Sequence, residues 1–208
     1  GHEVTGRILE GGAGVEGCES GDPVVVANSA PCGACFWCER GEFSLCDDLV
    51  YLWGAFAERV RVPARIVSVN MIVRPAGLDP RLAPMIEPLA CAVHGADHSS
   101  AGEGGTVVIL GGGVQGQFLA ARLAGRGCRV IVCDPHPDRR ERSERFGAWM
   151  TADAPRDRTG IESVRAATPG GRGADVVIEA IGRPETWRVA VELARRGGCI
   201  ARGRARAR

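Results

Sequence analysis

The chain has 208 residues, 45% of them hydrophobic, and a formal net charge of +1. That is enough for one large or two small globular domains with a real core, and too neutral for a strong field toward nucleic acid or anionic lipid. The longest apolar runs, TVVIL and DVVIEAI, are far too short to span a bilayer, and no signal-peptide pattern is visible. Nine cysteines without a secretory signal point to a reducing, cytoplasmic setting, where clustered thiols more often hold metal than form bridges.

The chain opens on GHEVTG, already patterned like a folded interior, and closes on the basic, non-periodic ARGRARAR. These ends read as a fragment cut at both sides, or as a frame change near the C-terminus. The tail reads as a solvated end, because it lacks the interleaved aromatics of a nucleic-acid arm. Up to about Pro75 the texture is strand-like. DPVVVANS, FAERVRVPA and RIVSVNMIV carry Val and Ile in short runs between Gly, Pro and Asp, and EGGAGVEGCESGD is a glycine-rich loop.

Inside this region stands CGACFWCERGEFSLC, with Cys32, Cys35, Cys38 and Cys46 at two C-x2-C steps and a seven-residue return. Four soft thiolates suit a tetrahedral Zn²⁺ and leave no open position, so such a site in residues 31–47 is structural. A ferredoxin-type cluster is the competing reading, but its fourth cysteine follows after three residues and precedes proline; here the gap is seven and Asp47 follows. A C-x2-C redox pair needs only two cysteines, and disulfides at this spacing are strained.

From Asp79 to Ser99 the pattern turns helical, with Leu82, Met85, Ile86, Leu89 and Val93 at three- and four-residue spacings. Glu87 precedes Pro88, a favoured first helical residue, which puts its carboxylate at a helix N-terminal end. His94 and His98 share a helix face, but without an H-E-x-x-H pattern they read as ordinary surface histidines.

From Thr106 strands alternate with helices. TVVIL is a buried strand, and VQGQFLAARLAGRG a helix with Val114, Phe118, Ala121 and Leu123 inward. RVIVCD, WMTA, ADVVIEAIG and CIARG read as further strands. PDRRERSERFG, GIESVRAATPGG and PETWRVAVELARRGG read as the helices between them. This alternation predicts a doubly wound parallel sheet of the Rossmann type, covered on both faces.

Between the first of these strands and its helix, ILGGGVQG matches G-x-G-x-x-G at Gly111, Gly113 and Gly116, with Val114 and Gln115 inside the motif. The first glycine permits a tight turn, the second lets backbone approach a pyrophosphate, and the third lets the helix pack closely. The phosphates then sit at the positive helix N-terminus. Asp134 ends the second strand, 18 residues after Gly116. Its carboxylate suits the ribose hydroxyls of NAD and repels the 2′-phosphate of NADP, with Arg139 and Arg140 close enough to soften that choice.

A four-cysteine lobe upstream of a dinucleotide fold resembles the zinc-containing medium-chain dehydrogenases, on the sorbitol and threonine dehydrogenase side. The resemblance is carried in order by GHEVTG, Gly21–Asp22, CGACFWCERGEFSLC, GAFAERVRVP, EPLACAVHG, ILGGGVQG with VCD, and ADVVIEAIG. It implies a β-rich GroES-like catalytic domain over 1–87 and an NAD-binding domain over 88–208, both incomplete. It also implies a second, catalytic zinc on His2 and Glu87, with Glu3 close enough to ligate or exchange. That metal would acidify the hydroxyl of an alcohol or polyol, whose hydride passes to the nicotinamide. The family's upstream cysteine ligand, sixth strand and closing segments have no counterpart in this sequence, and homo-oligomers belong to the full-length parent. A non-catalytic remnant that binds NAD and zinc is the alternative.

Overall fold

The structure, a computed structural model, describes residues 1–202. The basic tail from residue 203 lies outside them. The chain divides into two compact units, Gly1–Glu87 and Pro88–Arg208.

The first unit is built on short strands. β1 (Val4–Arg7) pairs antiparallel with β2 (Pro23–Val26), with Val4 opposite Val26. β3 (Ser29–Ala30) pairs with β4 (Val50–Tyr51), closing the loop that holds the four cysteines. α1 (Ala64–Asn70) leads into β5 (Met71–Val73), the third strand beside β2. Val24, Val26, Ala30, Leu52 and Ile66 form the core here.

Two expectations fail in this unit. RIVSVN is helical, and FAERVRVP is irregular chain. The β-branched residues of RIVSVN favour a strand only weakly. What decides is tertiary. One helical turn after Pro63 carries Ile66 to full burial in the core, leaving Val69 at 52% exposure.

α2 (Ile86–Asp97) follows a 3-10 turn over Ala83–Met85. Its buried stripe is Pro88, Ala92 and Ala96, at i, i+4, i+8, and not the Leu89 face. Pro88 is the third residue of the helix and not the first, a position whose N–H has no intrahelical partner in any case.

The second unit is a five-stranded parallel sheet. β6 (Thr106–Leu110), α3 (Val114–Ala124), β7 (Arg129–Cys133), α4 (Pro137–Arg145), β8 (Met150–Ala152), α5 (Arg158–Ala166), β9 (Ala174–Glu179), α6 (Pro184–Leu193) and β10 (Ala194–Arg202) follow in turn. The strand order β10-β9-β6-β7-β8 is that of the doubly wound fold, with its switch point between β6 and β9.

Strand parity sorts the core into two clusters. Val107 and Ile109 face Leu119, Ala120 and Leu123 of α3. Val108 and Leu110 face Ile161 and Val164 of α5 and Leu193 of α6. Both sheet faces are thus covered, as the alternation predicts.

The inward face of α3 differs from the expected one. Leu119, Ala120 and Leu123 are buried, with Val114 and Ala121 exposed. Gly116 sets that rotation, because the helix presses there against the glycine turn. At the start of β9, Asp175 accepts the backbone N–H of Thr106 at 2.8 Å and Arg195 Nε at 2.6 Å, tying together the starts of β6, β9 and β10. α6 is shorter than predicted; ARRGG belongs to β10, whose pairing with β9 is irregular between Ala194 and Cys199.

Candidate metal and dinucleotide sites

Among the described residues, two groups of three or more His, Cys, Asp or Glu bring their ligand atoms within 4.8 Å of one another.

The first is Cys32, Cys35, Cys38 and Cys46. The β3–β4 pair brings the loop back on itself, and a 3-10 turn over Cys38–Arg40 bends it within. Gly41, at φ +76, ends that turn with its N–H on the Cys38 carbonyl at 3.0 Å. The sulfurs of Cys35 and Cys38 are 3.5 Å apart, and those of Cys32 and Cys38 3.9 Å. A tetrahedral zinc with Zn–S near 2.3 Å separates its sulfurs by about 3.8 Å. A disulfide needs about 2.05 Å, and Cys32, Cys35, Cys38 and Cys46 are all unbridged thiols.

The loop backbone donates into this cluster: Cys32 N–H to Cys46 Sγ at 3.2 Å, and Ala34 N–H to Cys32 Sγ at 3.5 Å. Backbone hydrogen bonds, that of Asp47 foremost and then that of Cys38, pull the Cys35 thiol down to about 6. Desolvation, with further hydrogen bonding from Cys35, pushes Cys38 up to about 11. A set of four thiols with oriented N–H donors fits a zinc ion.

The second group is His2, Glu3 and Glu87. His2 just precedes β1. Its ring meets the edge of Trp53 at 5.7 Å, and Trp53 stacks on Tyr51 at 5.5 Å. Ala55 N–H donates to the Gly1 carbonyl at 3.1 Å. A Cβ at Gly1 would lie 2.8 Å from the Phe56 nitrogen, so only glycine brings the strand start this close. Glu87 comes from the first turn of α2, where the helix dipole favours a carboxylate. One imidazole and two carboxylates are a donor set that fits zinc with a position left open. His94 and His98 belong to neither group; their rings lie 4.0 Å apart, His94 in the last turn of α2 and His98 just past its end.

The third site is an open groove of about 1400 Å³ in the second unit, at the carboxyl ends of the strands, lined among others by Gly111, Gly113, Asp134, Arg139 and Ile181. The three glycines differ physically. Gly111 has φ +105, and a Cβ there would lie 2.9 Å from Ile181 Cγ1. A Cβ on Gly116 would lie 1.8 Å from the Gly111 oxygen. Gly113 has an ordinary φ of −71, and a Cβ there would meet nothing within 4 Å. Among the described residues, none requires glycine at 113. The free space beside it, at the N-terminus of α3, is the kind a pyrophosphate fills.

Asp134 is 2% exposed. Its Oδ2 accepts Gly112 N–H and its Oδ1 accepts His136 N–H, each at 2.8 Å, with Arg139 Nη1 3.6 Å from Oδ2. A carboxylate offers about four lone-pair sites, so ribose hydroxyls still find acceptors. Of the other motif residues, Val114 is exposed, Gly116 is buried beneath the turn, and Gln115 donates Nε2–H to the Pro88 carbonyl at 3.0 Å.

Sequence reasoning missed Glu179, an acid 1% exposed at the end of β9. Its signal was present: a charge closing the apolar run VVI.

The comparisons agree in order along the chain. The alcohol dehydrogenase GroES-like domain family matches residues 1–71, and the zinc-binding dehydrogenase family matches residues 115–202. The 2-dehydro-3-deoxy-L-galactonate 5-dehydrogenase of Pseudoalteromonas atlantica is 35% identical, over 96% of this chain and 58% of its own length. The sorbitol dehydrogenase of Bacillus subtilis is 32% identical, over 97% and 57%. The solved alcohol dehydrogenase of Thermus sp. ATN1 superposes with a TM-score of 0.86 at 30% identity, over 100% of this chain and 62% of that one. The chain thus spans somewhat under two thirds of the length of these relatives. No helix among the described residues is long and apolar enough to cross a membrane. The two family matches fall in order along the chain, on a parallel sheet of this strand order, and among the relatives the chain is similar to are sorbitol and threonine dehydrogenases, so its similarity is to the zinc-containing alcohol dehydrogenases.

Proposed function

We propose that this chain carries the metal-binding and dinucleotide-binding parts of a zinc-dependent oxidoreductase, one that moves a hydride between an alcohol or polyol CH–OH and NAD. The observation that carries the reading is the convergence of Glu87 with the neighbouring pair His2 and Glu3, distant from it in sequence, within 4.8 Å. Residues 1–87 would hold both metals and residues 88–208 the dinucleotide.

The four cysteines would hold a zinc that shapes their lobe and does no chemistry. At the second group, His2 and Glu87 would be ligands and Glu3, the exposed member, an exchangeable one. Zinc bound there supplies Lewis acidity toward a substrate hydroxyl. The protein's own contribution is placement. Trp53 packs edge-on against the His2 ring, and α2 presents Glu87 from its first turn.

At the groove, Gly111, Gly113 and Gly116 would shape the pyrophosphate seat, beside Val114 and Gln115. Asp134 would take the ribose hydroxyls, which favours NAD over NADP, with Arg139 at its edge. The substrate is a small molecule, the compartment reducing and cytoplasmic, and the working form of the longer protein a homo-oligomer. The test is NADH absorbance across a panel of secondary alcohols and polyols, using the chain within its extended reading frame, with and without a zinc chelator. Chelator-sensitive turnover is expected; NAD binding with no turnover on any alcohol would overturn the catalytic reading.

A further inference from the structure

Glu179 ends β9 with its carboxylate sealed from water at 1% exposure. Burying a carboxylate is costly unless hydrogen bonds replace its hydration. Here they do, and every one comes from the next eight residues. Oε1 accepts the N–H of Ile181 at 2.9 Å and of Gly182 at 2.9 Å. Oε2 accepts the indole N–H of Trp187 at 2.9 Å and shares that of Gly182 at 3.1 Å. The Thr186 hydroxyl lies 2.8 Å from Oε1 and 2.8 Å from the Arg183 carbonyl, and its one proton serves both. The side chain thus meets the loop that leads into the N-terminal end of α6 and the first turn of that helix.

The segment so held is one wall of the dinucleotide groove, to which Ala180, Ile181 and Thr186 contribute. Ile181 reaches across to Gly111, the first glycine of the turn. Glu179 therefore ties the wall on the β9 side of the switch point, while the glycine turn forms the β6 side. We propose that Glu179 is a positioning residue for the dinucleotide: its buried carboxylate fixes the 181–187 wall at the spacing from the glycine turn that the cofactor needs. This rests on the reading of the groove as an NAD site.

Glu179→Gln is the sharp variant. It keeps the shape, but its amide NH2 must face one of the N–H donors, so one side of the clamp is lost. Trp187→Phe removes a single donor from the rim and serves should the first variant fail to fold. Val130→Ala, a buried position in β7 away from the groove, is the control for simple destabilisation.

NAD affinity is measured by calorimetry well below each melting temperature, with amide hydrogen exchange at Ile181 and Gly182. The expected result is NAD binding about tenfold weaker in Glu179→Gln and about threefold weaker in Trp187→Phe. Exchange at both amides should be faster, with Val130→Ala binding like the wild type. Wild-type affinity in both wall variants would overturn the proposal. So would equal weakening in Val130→Ala, which would mark the effect as loss of stability alone. A wild-type chain that binds no NAD would sink the groove reading itself, and this inference with it.

Discussion

An alanine methyl at Gly116 would lie 1.8 Å from the Gly111 oxygen, whereas at Gly113 it would meet no atom within 4 Å. The two substitutions should therefore separate. Gly116→Ala forces the helix off the turn and should cost about 3 kcal/mol of stability, the upper range for overpacking, despite alanine's better helix propensity. Gly113→Ala should cost no more than about 1 kcal/mol of stability, the size of the N-cap preference for glycine over alanine. It should nonetheless weaken NAD by at least about tenfold, because its methyl would occupy the space where backbone must approach the pyrophosphate. Urea unfolding and calorimetry read the two effects independently. A Gly113→Ala variant that binds NAD normally would remove the pyrophosphate from that space.

Elements carry the next predictions. The Thr106 amide and then Arg195 hold the Asp175 carboxyl below its ordinary value. A lowered folded-state pKa means stability that is fully present above the unfolded value, near 3.9, and is lost as pH falls through the folded one. Asp175→Asn should thus be less stable than wild type at neutral pH, by about 1 kcal/mol or less given the exposure of the pair. The gap should close in acid below pH 4, as followed by circular dichroism. In the cysteine lobe, Cys46→Ser removes a ligand that a buried position cannot replace with water. Its loop should lose protease resistance, and a chelator should do the same to the wild type. A lobe indifferent to chelator would not hold a structural metal.

Elements also mark what can be read without coordinates. TVVIL and the glycine turn were legible because a buried strand, a turn needing φ > 0 and a helix start each leave a local signature. RIVSVN was not, since Ile66 is helical only because the core of its unit receives it that way. The buried side of α3 was misjudged because Gly116, small enough to vanish from a hydrophobic count, sets the helix's rotation. His2 and Glu87 were brought together by resemblance alone; no periodicity links positions so distant in the chain. Glu179 was overlooked because its partners are backbone amides, which every sequence contains.

For the whole molecule, metal content is the simplest expectation. The two donor groups predict about two zinc ions per chain. Glu87→Ala should lower that to about one and leave the lobe protease-resistant. Cys38→Ser should also lose one, but with the lobe opened. Atomic emission on each purified variant tells these apart. Iron in place of zinc, with visible absorbance, would instead favour a cluster on the cysteines.

β6 is apolar toward both sheet faces, with Val107 through Leu110 all buried. Sliding it one residue along its neighbours would exchange one greasy face for another, so water aversion alone barely distinguishes the correct frame from its neighbour. The bond from Thr106 to Asp175 does distinguish them, since a shifted strand would offer that carboxylate no matching amide. A surface aspartate at the foot of the sheet thereby serves as the peg that tells the central strand where to stop, which in turn fixes where the glycine turn begins.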